Sequence, residues 1–211
     1  MTTSPGGICG VVSGALFLVK AGLDLVVGEP PSDRARLPSW VDSHHLPLAL
    51  TNETMALGAV LLIPLALALH QRLHGSAKPW AGIGCAALAT AVPVILVLAV
   101  VQGRLVYPVY GIDLDAPATL ALTISLYYGG AHLVSLLVGA ALVVLGLSTR
   151  HPATWAVAGV AAGALQLVGA YPWLIGPVFT AITEAAFAAW LIVAGVTLTR
   201  PAPVLRPPDA L

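Results

Sequence analysis

Charge is what this chain has least of. Only 9% of its 211 residues are Asp, Glu, Lys or Arg, and nine cations offset nine acids to a net charge of zero. A soluble domain carries about a quarter charged residues. The shortage leaves little material for a soluble domain. The zero balance argues against nucleic-acid binding and against a polybasic lipid-binding tail. Cysteine is scarce too. Cys9 and Cys85 form no CxxC motif and read as small packing residues rather than a disulfide or metal pair. No HExxH, GxSxG, P-loop or GxGxxG sequence occurs. His70 and His74 are four apart but have no acid near them in sequence, so no metal site is expected. Only His132 lies well inside an apolar run, which disfavours haem, and no cofactor is expected. No helix carries a row of cations such as a voltage sensor needs.

What the chain has is apolar length. Hydrophobic residues make up 58% of it, and mean hydropathy is +0.94. Six long apolar runs stand out: Ile8–Gly28, Thr54–Leu69, Trp80–Val101, Thr119–Leu147, Trp155–Tyr171 and Pro177–Leu198. A bilayer core takes about 20 apolar helical residues to cross. The expected fold is all-α, a single-domain polytopic bundle of six transmembrane helices over residues 1–200, with a disordered tail at 201–211. Met1–Gly7 has no Lys or Arg, so the first run is expected to stay as helix 1 rather than act as a cleaved signal.

Loop cations set the expected orientation. With both termini on one side, that side holds Arg72, Lys78, Arg150, Arg200 and Arg206, against Arg34, Arg36 and Arg104 on the other. The bias predicts a multi-pass protein of the cell membrane with both termini cytoplasmic. The outer loops, about 29–52 and 102–118, are long, and the first is proline-rich and expected to interrupt regular helix. Trp40 in it reads as an interfacial anchor or as a ring dipping into a pocket. Asn52-Glu-Thr54 matches a glycosylation sequon, a triplet common by chance. The even-numbered helices each end near a cation, an echo open to duplication or to topology alone.

Small residues recur at helical spacing, as Gly6, Gly10 and Gly14 and as Gly159 and Gly163. Such faces let helices approach in lipid, where no hydrophobic drive joins them. Intramolecular packing is the first reading, and a homo-oligomer is the other. Pro64 and Pro93 are expected to kink their helices.

The polar residues within these runs are the candidate site, because ionisable groups at membrane depth need a partner or a task. Ser13, Lys20 and Asp24 fall on one stripe of helix 1, and Lys20 can pair with Asp24 four residues on. Ser125, Tyr128, His132 and Ser135 make the most regular polar stripe. His132 is a satisfied structural donor or a proton-handling base. Gln166 shares a face with Gly159 and Gly163. Buried without a cation, Glu184 would keep its proton, the state that both a general acid and a quiet interhelical hydrogen bond need. Counted at 1.5 Å per residue, Asp24, Glu184 and Lys20 fall within roughly 12 Å of the outer ends. Glu53 starts helix 2 at that edge. The polar groups therefore gather in the outer half, as a pocket roofed by the two long loops. Lys20 could balance Asp24, Glu53 or Glu184.

Between Ala141 and Pro201 the chain resembles small, uncharacterised six-helix bacterial membrane proteins grouped as a domain of unknown function. The likeness rests on Leu147-Ser-Thr-Arg150, Pro152-Ala-Thr-Trp155, the Gly159/Gly163 face, and Glu184 with Trp190 and Gly195. It implies six helices and no particular activity. A second resemblance, to small integral membrane terpene cyclases, rests on the type and depth of Asp24, Glu53 and Glu184. It carries over no catalytic role.

Three functional readings stand. In the first, a polar pocket lined by Lys20, Asp24, Glu53, Tyr128, His132, Gln166 and Glu184 binds or moves a small amphipathic molecule or lipid. In the second, an intramembrane enzyme works on an apolar isoprenoid or lipid. There Glu184 or Asp24 is the acid and His132 the base, and Tyr128, Trp173 and Trp190 wall a cationic intermediate. In the third, the glycine faces make a structural or partner-binding subunit. The lipid bilayer is the expected partner throughout.

Overall fold

The computed structural model describes residues 4–74, 79–112, 114, 116–148 and 153–199. Seven α-helices occur among them: α1 Pro5–Val27, α2 Leu37–Ser43, α3 His45–His74, α4 Pro79–Gly103, α5 Pro117–Ser148, α6 Ala153–Val168 and α7 Pro172–Thr199. A 3-10 turn, Arg34–Arg36, leads into α2. The fold is all-helical, and five helices (α1, α3, α4, α5, α7) are long and apolar enough to cross a membrane. α6 is apolar but has 16 residues, or about 24 Å of helix. Lys78, Arg150, Arg200, Arg206 and the tail lie outside the described residues.

Prolines mark where helices begin. Pro5, Pro79, Pro117 and Pro172 each open one. At that position the missing N–H has no intrahelical acceptor to lose and the fixed φ is already helical. The same logic corrects the expectation of an irregular 29–52 loop. Pro38 sits in the first turn of α2, and Pro47 sits in the first turn of α3. α3 therefore starts at His45 rather than Thr54 and runs 30 residues through Pro64. Asn52 is a buried helical residue, 7% exposed, so the sequon offers no accessible acceptor.

The six longer helices close into a ring in the order α1, α3, α4, α5, α6, α7 and back to α1. Glycines set two close seams. A Cβ on Gly195 would lie 2.6 Å from the Val11 nitrogen, and one on Gly14 would lie 2.6 Å from the Ala188 oxygen, so α1 and α7 touch backbone to backbone. Gly163 meets the Gly139 carbonyl and Gly159 meets Gly146 in the same way, joining α6 to α5. Both glycine faces are thus used inside the fold, by van der Waals approach. Ser13 is fully buried and donates to the Gly58 carbonyl at 2.9 Å, tying α1 to α3.

Two apolar cores follow. The larger fills the ring with Leu62, Leu65, Leu88, Leu142, Leu145, Trp190 and Leu191. The smaller, Val27, Leu37, Val41, Leu48, Val106, Leu120 and Ile124, lies where the long connections cover one end. Hydrogen bonds fix that cover. His45 Nε2 is 2.9 Å from the Val106 carbonyl oxygen. Arg104 donates to the carbonyls of Tyr107 and Ile112, both at 2.9 Å.

Candidate functional site

Under this cover, the end of the ring opens into a cavity of about 580 Å³. Six helices and three connections contribute to its wall. Asp24 comes from the last turn of α1, with Gly28, Glu29 and Pro30 just beyond, and Trp40 comes from α2. α4 gives Gln102, α5 gives Tyr127, Tyr128 and Ser135, and α7 gives Trp173, Thr180, Thr183 and Glu184. The polar stripe expected on helix 4 does turn inward: Ser125, Tyr128 and Ser135 all reach the cavity. The remaining wall is apolar, including Val27, Leu48, Leu105 and Ile124.

The charged centre is a three-residue bridge between α1 and α7. Lys20 Nζ lies 2.6 Å from Asp24 Oδ2 and 2.7 Å from Glu184 Oε1. Of the options for Lys20, the structure selects Asp24 and Glu184 together and not Glu53. Glu184 is therefore not a carboxyl without a cation, a correction to the reading of Glu184 alone. Charge-assisted hydrogen bonds at these distances are the strong kind. The three side chains are not equally placed. Lys20 is 6% exposed, whereas Asp24 and Glu184 are 28% and 25% exposed. The acids border the cavity, and the ammonium sits behind them. Glu184 Oε2 is buried and has no hydrogen-bond partner.

The turn that carries Glu184 is held from α6. Gln166 is 4% exposed, and its Nε2 donates to the Thr183 carbonyl at 2.8 Å. A Cβ on Gly169 would lie 2.7 Å from Thr183 Oγ1, so α6 ends hard against the same turn. α7 itself is broken below the site. Gly176 has φ 77°, and Pro177 restarts the helix after it. The left-handed backbone at Gly176 separates the Pro172–Ile175 turn, which carries Trp173, from the long segment that carries Glu184.

Other expected site residues lie elsewhere. His132 is not part of the cavity wall. Its Nδ1 is 2.6 Å from the Ala170 carbonyl oxygen, and its ring packs 4.9 Å from Tyr171 and 5.7 Å from Trp173. Gln166 acts through Thr183 rather than lining the space. Glu53 accepts a hydrogen bond from the Tyr107 hydroxyl at 3.0 Å, away from Lys20. Desolvation, with the Glu53 carboxylate beside it, holds the Tyr107 phenol above its ordinary range. Trp190 is fully buried in the main core, its ring 6.5 Å from that of Trp155. It lies six residues beyond Glu184, about 9 Å further along α7, and is no wall for a ligand here.

Sequence reasoning missed Gln102 and Tyr127. Gln102 is 3% exposed, lines the cavity, and its Oε1 has no hydrogen-bond partner. Its position at the end of an apolar run hid it, although a Gln adjoining Val100-Val101 was a readable signal. Tyr127 packs edge-on against Tyr128, with ring centroids 5.5 Å apart.

Fold and site together define a membrane-embedded helical protein with a polar-floored cavity at one end of its bundle. No family model, curated protein or solved structure matches the chain.

Proposed function

We propose that the chain is a six-span protein of the cell membrane, both termini cytoplasmic, that binds a small amphipathic molecule or lipid in this cavity and holds or passes it. α6 is the sixth span on this reading, with the 169–171 turn completing its length. The six-helix resemblance agrees with it. The observation that carries the reading is the cavity itself. Its volume of about 580 Å³ falls in the range of small-molecule sites, roughly 300–1,000 Å³, and it joins an apolar wall to a few convergent polar groups. An amphipathic ligand would set its polar end by Asp24 and Glu184 and its body against Val27, Leu48 and Ile124.

An acid–base enzyme finds less support. His132, the candidate base, is tied to the Ala170 carbonyl and packs against Tyr171 and Trp173 without lining the cavity itself. A scaffold role for the glycine faces is disfavoured because α5 and α7 already occupy them.

The test is retention. Wild type and Ala131→Phe are purified in mild detergent and their co-purifying small molecules compared by mass spectrometry. Ala131 lines the cavity, so the ring would fill part of it. A molecule kept by wild type and lost from the variant is expected. Identical contents in both, with both folded, would overturn the reading.

A further inference from the structure

Among the described residues the charge lining this cavity is of one sign. Asp24, Glu29 and Glu184 line it, and no lysine or arginine does. Among the described residues Lys20, behind them, is the one cation bonded to this group. Three carboxylates less one ammonium leaves a formal excess of two negative charges if all are ionised. Gln102 is an independent observation. It is 97% buried, lines the cavity from α4, and its Oε1 has no hydrogen-bond partner. Glu184 Oε2 is in the same condition. Both atoms are acceptors. A buried acceptor without a donor costs stability, and a bilayer core supplies no donors. Four aromatic residues on the same wall (Trp40, Tyr127, Tyr128 and Trp173) add π faces of the kind that attract cations.

We infer that the ligand's polar end is a hydrogen-bond-donating organic cation, an amine protonated at neutral pH and carried on an apolar body. The inference rests on the reading of the cavity as a small-molecule site. It narrows that site from amphipaths in general to cationic ones. A bare metal ion fits this cavity less well. Among the described residues no three His, Cys, Asp or Glu side chains converge to hold one, and an ion would leave most of the volume unfilled.

The test uses three probes of similar size and different charge: phenethylammonium, 2-phenylethanol and phenylacetate. The full chain is placed in nanodiscs of zwitterionic lipid. Binding is read by tryptophan fluorescence, since Trp40 and Trp173 line the cavity, and by thermal shift. The ammonium should bind at least about tenfold tighter than the alcohol, and the carboxylate weakest. Glu184→Gln and Gln102→Leu should each narrow the ammonium-to-alcohol ratio severalfold. Equal binding of all three would overturn the charge preference and leave the pocket standing. So would a preference for the carboxylate. Binding of none would overturn the preference and the pocket together. If Glu184→Gln does not fold, the wild-type series and Gln102→Leu still decide the matter.

Discussion

Replacing Lys20 with methionine removes the ammonium between two carboxylates and keeps most of the side-chain volume. Two ionic hydrogen bonds go with it, at 2.6 and 2.7 Å. A hydrogen bond to a charged group contributes about 1.5–3 kcal/mol, and stranding one partner of a buried pair costs about 3–5 kcal/mol. Asp24 and Glu184 retain 28% and 25% exposure toward the cavity, so the lower end applies. The expected loss is about 3 kcal/mol. For a chain of this size each kcal/mol moves Tm by about 2–4 °C, so the transition should fall by roughly 6–12 °C. The assay is thermal unfolding in one detergent, followed by loss of a monodisperse elution peak. The double variant Lys20→Met/Glu184→Gln removes one of the two stranded charges as well. It should recover at least half of the loss, because the two positions are coupled rather than additive. A Lys20→Met protein as stable as wild type, or a double variant that simply adds two losses, would refute the bridge as the tie between α1 and α7.

Gly195→Leu should destabilise by at least about 2 kcal/mol, since even a Cβ there would lie 2.6 Å from the Val11 nitrogen, whereas Gly22→Leu, with nothing within 4 Å, should stay within about 0.5 kcal/mol. The same thermal assay compares them. Gly176→Ala should cost about 1–2 kcal/mol because φ is 77° there, and it should weaken retention of any cavity ligand by shifting Trp173 relative to Glu184. Gln166→Leu removes the side-chain donor to the Thr183 carbonyl and should cost about 0.5–1.5 kcal/mol, while Gln166→Glu can be satisfied only as the neutral acid, so its stability should fall as pH rises. His132→Phe should leave ligand binding within about twofold if the histidine is a structural donor to Ala170; a large loss of binding would return it to the site.

Much of the fold was legible because apolar length is a direct consequence of the bilayer. Gly176-Pro177 marked the start of the last long helix, and the structure breaks there. The start of α3 was not legible. Pro47 in a helix interior would be a breaker, but one in a first turn costs nothing, and sequence alone does not say which turn it occupies. At the site, Lys20 had three acids to choose from. Which two it reaches depends on the rotation of α7 against α1, fixed by Gly14, Gly195 and Ala188 rather than by any charged residue. Trp190 illustrates the same point in reverse: right helix, right neighbourhood in sequence, but six positions on and buried against Trp155.

The double partnership of Lys20 also bears on how such a chain is made. α1 enters the membrane long before α7 has been synthesised, so Glu184, 164 positions downstream, is not yet there to receive the ammonium. Asp24, one turn away on the same helix, is. The first span can thus cross as an internally neutralised hairpin of charges and wait. When the last span arrives, the ammonium gains its second carboxylate and the glycine seam between α1 and α7 closes. The ring is closed by the final helix to be born, and the residue that latches it was carried in by the first.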